Sequence, residues 1–131
     1  RVLFRSWRVA AARGIACPMA SEADLTVLTD PDELALIRKL SMYPEVVEAS
    51  ALAFEPHRLT YYLQQLAAQL HTFYNKHRIL PPAVDQESGE TPVAEEISPR
   101  TTAARLVLMR SVQQVVKNGL NVLGIAAPEQ M

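Results

Sequence analysis

The chain has 131 residues, of which 49% are hydrophobic, and a formal net charge of -1. This length suits one hydrophobic core that buries about two thirds of the unfolded surface, and it disfavours a second independent core. No apolar run approaches the ~18 residues of a membrane span. The single cysteine, Cys17, excludes an internal disulfide and suits a reducing compartment.

The nearly neutral charge is the average of two unlike regions. Residues 80–99 hold five acidic residues and no Lys or Arg. Removing these five from the 14 acidic residues leaves nine against 13 basic residues, a net charge of +4 for the rest of the chain. Because an acidic stretch of this kind is usually a solvated tether, the charge that bears on binding partners is +4.

Residues 1–16 are predicted to form a first helix with a basic face. Arg1, Arg5 and Arg8 recur at steps of four and three, and no acidic residue precedes Glu22. Three interpretations stay open, namely a face for a polyanion, a solvated helix surface, and a piece of an Arg-rich transit peptide. Composition alone favours the solvated surface. Because the chain begins at Arg1 rather than Met, we expect a cut or processed N-terminus.

A second and a third helix are predicted after a connector. Asp30 is the predicted N-cap, Pro31 suits the first helical position, and Glu33 stands where the acid of a capping box belongs. This helix should end near Met42. Its predicted buried residues are Leu34, Ile37 and Leu40. Pro44 separates it from the next helix, since the residue before a proline is driven out of the α region. The residues predicted to share a face of the third helix are Val47, Ser50, Ala51 and Phe54.

The longest segment with a single clean period runs from Pro56 to Leu80, and it is predicted to be a helix. Its stripe recurs at steps of three or four, the spacing that stacks side chains on one helix face: Leu59, Leu63, Leu66, Leu70, Phe73 and His77. Pro56 suits the first helical position, and Pro81-Pro82 cannot continue the helix. The rod would be roughly 35 Å long, so the other helices must pack along it.

Residues 80–99 are predicted to be an acidic, proline-containing linker or insertion. A last helix should follow from Arg100 to Leu123, with Ser98 as N-cap, Pro99 in the first turn and a left-handed Gly124 just past its end. Its predicted buried residues are Leu106, Leu108, Met109, Val112, Val115, Val116, Leu120 and Leu123. Its predicted exposed residues are Arg110, Gln114, Lys117 and Asn121. These predictions amount to one all-α domain over residues 1–131, a bundle of about five helices.

The sequence shows no catalytic or metal-binding constellation. His57, His71 and His77 lie on one predicted helix, but no pair has the four-residue spacing of a zinc-binding helix, so we expect surface or part-buried roles for them. No phosphate-binding loop or nucleophile elbow is present. Without a paired nucleophile and base, a small helical enzyme is disfavoured.

Tyr74 and Arg78 are predicted to lie one helical turn apart, with His71 one turn earlier on the same flank. Flat rings beside guanidinium groups are what unpaired nucleobases stack on. The alternative is that Tyr74 is an aromatic residue at the edge of the core and Arg78 a solvated charge at a helix C-terminus, where positive charge is favourable. These residues by themselves favour the alternative.

Several short sequences nevertheless coincide, in order, with those of one family. They are EPHRL at residues 55–59, FYN at 73–75, ARL at 104–106, NGLNVLG at 118–124 and a terminal PEQM. From about Asp30 to Met131, apart from the linker, the chain resembles the C-terminal DALR anticodon-binding domain of arginyl-tRNA synthetases. The first helix is less similar, because it keeps Arg8 but has Phe4 where the family has Tyr and Ser6 where it has His.

The resemblance implies an all-α bundle that packs the anticodon stem and loop of arginine tRNA against its helices. Matched by position, the implied anticodon contacts are Phe4, Arg8, Tyr74, Arg78 and Met131. The Met131 side chain and carboxylate would close a pocket, and Phe4 could stack on a base but not donate a hydrogen bond. The implied partners are tRNA and the protein's own catalytic domain, in a monomer without membrane contact.

The resemblance also implies that the parent protein is an arginine-tRNA ligase that uses ATP with Mg²⁺. The signature motifs of class I synthetases, H-I-G-H and K-M-S-K, are absent, so we expect a noncatalytic C-terminal fragment that binds tRNA weakly and has no cofactor of its own. Its expected location is the cytoplasm or an organelle. An alternative of a different class is a protein-interaction module that docks its first helix through Phe4 and Trp7.

Overall fold

A computed structural model describes residues 8–80 and 97–126 of the chain. Within these ranges the regular structure is helical and contains no strand, which confirms the predicted all-α class. The helices are α1 (Pro31–Ser41), α2 (Tyr43–Leu52), α3 (His57–Lys76) and α4 (Pro99–Val122), with a 3₁₀ turn at Leu25–Val27. Residues 1–7, in the predicted first helix, and 81–96, in the predicted linker, lie outside the described ranges.

The described part of the first helix ends earlier than predicted. Residues 8–12 are helical, and Gly14 has a φ of 68°. The Ile15 amide donates to the Ala10 carbonyl at 2.9 Å, and the Gly14 amide donates to the Ala11 carbonyl at 3.0 Å. This pair of bonds is a Schellman motif, which ends a helix at a left-handed glycine. The predicted continuation through residue 16 is therefore wrong.

α1 begins with the capping box that its sequence predicts. The Asp30 side chain accepts a hydrogen bond from the Asp32 amide at 2.8 Å, and the Glu33 carboxylate accepts one from the Asp30 amide at 3.1 Å. α1 ends at Ser41, close to its predicted end. Leu40 is partly buried against the core, as predicted.

The rest of α1 presents a different face to the core from the predicted one. Leu36 is completely buried, whereas the predicted core residues Leu34 and Ile37 are 39% and 38% exposed. Glu33 is 1% exposed, because its carboxylate pairs with the Arg105 guanidinium of α4 at 2.7 Å. With Glu33 turned toward the core, Leu34 and Ile37 face solvent. No local sequence pattern reveals that the partner of Glu33 lies 72 residues away.

α2 ends in a left-handed residue that is not glycine. The helix stops at Leu52, the Glu55 amide donates to the Ser50 carbonyl at 2.9 Å, and the Phe54 amide donates to the Ala51 carbonyl at 3.2 Å. This is another Schellman motif, with Phe54 at φ 55° in the position that usually holds glycine. Phe54 is therefore beyond the helix whose face it was expected to share, and it is 92% exposed.

α3 is the central helix, and α1, α2 and α4 all pack against it. Its buried residues are Leu59, Tyr62, Leu63, Leu66, Leu70 and Phe73. They are the predicted stripe with Tyr62 added and His77 missing. Tyr62 is a polar ring that the sequence does not mark as buried, and His77 lies past the helix end and is only partly buried. The Tyr62 hydroxyl donates to the Lys39 carbonyl at 2.7 Å, which satisfies its polar group within the core.

The bounds of α3 differ from the predicted ones at both ends. Pro56 lies at the N-cap rather than at the first helical position, so the helix begins at His57. It ends at Lys76, because His77 is extended, with φ -118° and ψ 132°. The predicted continuation to Leu80 is wrong, and the last four residues of the predicted helix form a bent, non-helical segment, which we call the turn after α3.

α4 packs along α3 and runs in the opposite direction. Its N-cap is the predicted one, with the Ser98 hydroxyl accepting a hydrogen bond from the Thr101 amide at 3.2 Å. Gly119 is buried, and a Cβ added there would lie 2.7 Å from Cδ2 of Leu63, so the two helices approach closely at this point. Past the helix end, Gly124 has the predicted left-handed conformation, with φ 73°.

The two predicted faces of α4 are largely as observed. Its buried residues are Thr102, Ala104, Leu106, Val107, Leu108, Met109, Val112 and Gly119. Other predicted core residues are only partly buried against the core: Val115, Val116, Leu120 and Leu123. The exposed face carries the predicted residues Arg110, Gln114, Lys117 and Asn121.

Candidate nucleic-acid interface

The predicted anticodon contacts fall partly within the described residues. Arg8 and Arg78 are exposed there, and Tyr74 is half-buried against the core. Phe4 and Met131 lie outside the described residues, as does Trp7, the second anchor of the alternative interaction module. The structure therefore bears on three of the predicted contacts.

Arg78 does not lie on α3. Its predicted spacing of one helical turn from Tyr74 assumes an unbroken helix, but the extended His77 intervenes. Arg78 instead belongs to the turn that follows α3. The next residue, Ile79, is 4% exposed and belongs to the core. The Arg78 side chain thus projects from a short turn. The two residues on either side of Arg78 are both packed against other parts of the bundle.

The bundle brings Arg78 and the segment that follows the first helix to the same end. The Arg78 carbonyl accepts a hydrogen bond from Nη1 of Arg105, near the start of α4, at 2.7 Å. Ile15, which follows the helical residues 8–12, lines a groove of about 440 Å³ together with Thr102 of α4. Both segments therefore meet the N-terminal part of α4. We call the end of the bundle formed by these two segments and the N-terminal part of α4 the polar end.

The Asp32 carboxylate contacts two side chains at the polar end. Nζ of Lys76 lies 3.0 Å from Oδ2 of Asp32, and Nε2 of His77 lies 3.1 Å from the same oxygen. The hydrogen bond from Lys76, followed by the one from His77, holds the pKa of Asp32 below its usual value. Asp32 at the start of α1 thus forms an ion pair with Lys76 in the last turn of α3 and contacts His77, the residue that follows this helix.

Arg78 differs from Arg100 and Arg105 at this end. Arg100 pairs with Asp24, and Arg105 pairs with Glu33. Within the described part of the chain, no carboxylate lies within ion-pair distance of the Arg78 guanidinium. An exposed guanidinium with unused donors can bind a phosphate or the edge of a base.

The Glu33 and Arg105 pair is buried, and it is the main feature of this end that sequence reasoning missed. The two side chains are 2% and 11% exposed, and the guanidinium carbon lies 5.9 Å from the centroid of the Phe73 ring. Charges are tolerated at such depth only when they are paired and hydrogen-bonded. The sequence contained two separate signals, a capping-box acid and the arginine of the ARL motif, but nothing that joined them.

A second missed cluster joins the start of α1 to the end of α3. Asp30, Asp32 and His77 each place one donor atom within 4.8 Å of the others. Nε2 of His77 already lies 3.3 Å from Oδ1 of Asp30 and is hydrogen-bonded to Oδ2 of Asp32 at 3.1 Å, so contacts within the cluster explain it. His77 is half-buried, while His57 and His71 are exposed, which confirms the surface and part-buried roles expected of the histidines.

The opposite end of the bundle carries an apolar groove of about 330 Å³, and we call it the apolar end. The groove is lined by Phe54, by Leu59 at the start of α3 and by Leu123 after α4. The described chain stops three residues after Leu123, whereas Tyr74 lies about 22 Å further along α3 than Leu59. Met131 lies outside the described residues, so its predicted place beside Tyr74 stays a prediction.

Within the described residues, Tyr74 is half-buried near the end of α3, and Arg78 is exposed without an ion pair in the segment that follows. The chain belongs to the family of DALR anticodon-binding domains, whose model matches residues 14–131. The match begins before Asp30, so it extends the resemblance seen in the sequence into the connector. No helix among the described residues is long and apolar enough to cross a membrane.

Several relatives of the chain are arginine-tRNA ligases. The chain is 46% identical over 125 residues to the one from Geobacter metallireducens, covering 95% of this chain and 20% of the relative. It is 46% identical over 114 residues to that of Citrifermentans bemidjiense, covering 87% and 18%. It is 39% identical over 113 residues to that of Methylorubrum extorquens strain PA1, covering 86% of this chain and 18% of the relative. The chain thus spans about a fifth of the length of these relatives. No solved structure matches it.

Proposed function

We propose that this chain is the anticodon-binding domain of an arginine-tRNA ligase and that it recognises the anticodon stem and loop of arginine tRNA. The family match over residues 14–131 is the observation that carries the proposal. Attachment of arginine with ATP and Mg²⁺ would belong to a catalytic domain in the rest of such a protein. The bundle would act without a cofactor of its own, as part of a monomer in the cytoplasm.

The proposed RNA contact lies at the polar end. Tyr74 is half-buried and packs against the core, and the exposed part of its ring would stack on a base. Arg78 supplies an exposed guanidinium in the adjoining turn, without an ion pair to any described residue, and Arg8 supplies a further exposed cation on the first helix. The roles of Phe4 and Met131 in the same contact remain predictions from the resemblance.

Filter binding of the full chain to an arginine anticodon stem-loop tests this proposal. A stacked base is worth about 1–3 kcal/mol, so Tyr74→Ala should weaken binding by roughly fivefold to a hundredfold. Arg78→Ala should weaken it about tenfold, because a hydrogen bond to a charged group is lost. Affinity should also fall as salt rises, since neutralised phosphates release counterions.

Two matched variants on α3 serve as controls. Tyr61 is 58% exposed on the same helix, and Arg58 lies at its start, paired with Glu55. Tyr61→Ala and Arg58→Ala should leave the affinity unchanged, because both positions are about 20 Å or more from the proposed contact along the helix. Unchanged affinity in both Tyr74→Ala and Arg78→Ala would refute the site. A wild-type chain that binds no arginine stem-loop would refute the function.

A further inference from the structure

We infer that Arg105 is a positioning residue for RNA binding, which holds the turn after α3 so that the Arg78 side chain is presented to the anticodon loop. The inference rests on the proposed function and adds a residue that the resemblance does not assign to the RNA contact. It depends on the bonds that Arg105 makes and on the way the neighbours of Arg78 are held.

Arg105 joins two segments of the chain through two different nitrogens. Its Nε donates to Oε1 of Glu33 in α1 at 2.7 Å, and its Nη1 donates to the Arg78 carbonyl at 2.7 Å. The guanidinium is planar, so the direction of one bond restricts the direction of the other. The carbonyl of Arg78 is therefore held at an orientation set by the buried ion pair.

The neighbours of Arg78 are held as well. The His77 ring stacks on Phe73, with centroids 4.9 Å apart, and its Nε2 lies 3.1 Å from Oδ2 of Asp32. On the other side, Ile79 is 4% exposed in the core. The backbone of Arg78 is thus restrained before, at and after this residue, while its side chain is exposed. A ligand contact on a backbone ordered in advance loses less entropy on binding.

Arg105 is poorly placed to contact RNA itself. Its side chain is 11% exposed, and its charge is neutralised by a carboxylate that is 2% exposed. Any effect of Arg105 on RNA affinity should therefore pass through Arg78. This expectation distinguishes a positioning residue from a direct contact. When two residues act through one contact, the changes in binding free energy caused by the two substitutions do not add.

A double-mutant cycle on the full chain, measured with the arginine anticodon stem-loop, tests this. Arg105→Lys keeps the charge for Glu33 but lacks the planar fork that also reaches the Arg78 carbonyl. It should weaken binding about fivefold, the effect of one lost hydrogen bond, in the wild-type background. In the Arg78→Ala background it should cause no further loss. Arg110→Lys, an exposed arginine of the same helix, should change nothing in either background.

Two results would overturn the inference. One is an equal loss from Arg105→Lys in both backgrounds, which would mean that it acts independently of Arg78. The other is no loss in the wild-type background. Thermal unfolding checks that each variant is folded. If Arg105→Lys is not folded, the double variant Glu33→Gln with Arg105→Met replaces it, since this variant also removes the donor to the Arg78 carbonyl. Failure of the wild-type chain to bind would overturn the proposed function and this inference together, whereas binding with an additive cycle would overturn the inference alone.

Discussion

Glu33 and Arg105 meet as a buried ion pair at the polar end, whereas α3 and α4 meet through Gly119 and Leu63 nearer the apolar end. The ion pair needs one arrangement of donors and acceptors, since a displaced partner leaves a charge without compensation. Apolar contacts allow side chains to adjust, at a cost that grows with lost or excess volume. The turn that carries Arg78 is therefore bonded to the polar end, where side-chain geometry is more restricted than at the apolar end.

The two ends also differ in the apolar surface that they expose. At the apolar end, Leu52 is 76% exposed, Phe54 92% and Val122 61%. At the polar end, the side chains near Arg78 are paired with one another across α1, α3 and α4. Substitutions at the polar end should therefore act through charge and hydrogen bonding. Substitutions at the apolar end should act through side-chain volume and backbone conformation.

The largest effect is expected when the ion pair is broken on one side. Arg105→Ala leaves the Glu33 carboxylate buried without its partner, so the free energy of unfolding should fall by about 3 kcal/mol. Urea denaturation measures this. Glu33→Gln combined with Arg105→Met removes both charges while a capping acceptor remains, and it should recover most of the lost stability. If the double variant is no better than Arg105→Ala, the uncompensated charge is not the cause of the loss.

A smaller loss is expected from added volume where the helices approach. In Gly119→Ala the new Cβ would lie 2.7 Å from Cδ2 of Leu63, which must move. Overpacking costs about 1–3 kcal/mol, and alanine returns up to about 1 kcal/mol of helix propensity, so the net loss should be about 1 kcal/mol. Adding Leu63→Val, which withdraws the crowded methyl groups, should give a loss smaller than the sum of the two single changes. A more stable Gly119→Ala variant would show that Leu63 moves aside freely.

A gain of stability is expected at the apolar end from relief of backbone strain. Phe54 has φ 55° and is 92% exposed, so Phe54→Gly removes a steric penalty and little packing. The free energy of unfolding should rise by about 0.5–1 kcal/mol. Ala53→Gly is the matched control, because Ala53 has φ -85° and gains nothing from glycine. Equal effects of the two substitutions would contradict the strain at Phe54.

The smallest effect concerns acid sensitivity, which should be confined to the polar end. The pKa of Asp32 is lowered by Lys76 and then by His77, so the ionised carboxylate stabilises the fold. This stabilisation is present above the ordinary carboxyl pKa of about 4 and disappears as the pH falls through the lowered folded value. The stability lost by Asp32→Asn should therefore be seen near neutral pH and vanish in acid. Urea denaturation at several pH values measures it.

Glu48→Gln is the control for this pH experiment. Glu48 is exposed on α2 and, within the residues that the structure describes, has no ion pair. Its substitution should leave the dependence of stability on pH unchanged. A loss of stability in Asp32→Asn that is the same at every pH would mean that the carboxylate acts by its shape and hydrogen bonds rather than by its charge.

The amino-acid sequence by itself determined the helix ends that depend on close neighbours. The N-caps at Asp30 and Ser98 and the left-handed Gly124 are where their local patterns predict. The buried stripe of α3 from Leu59 to Phe73 was also predictable, because a period of three to four residues is a property of the helix alone. The ordered motifs of the DALR family are likewise a property of the sequence, and matching by position within that resemblance predicts Tyr74 and Arg78 as anticodon contacts.

Only the tertiary structure decided which face of α1 is buried, where α3 stops, and that Arg78 stands in a turn held by Arg105. Leu34 and Ile37 satisfy a helical period, yet the pairing of Glu33 turns them outward. His77 continues the stripe by spacing, yet the chain is already extended there while its ring bonds the start of α1. A capping bond joins residues three apart and is readable locally, whereas the partner of a buried charge 72 residues away is chosen by the packing of the whole bundle.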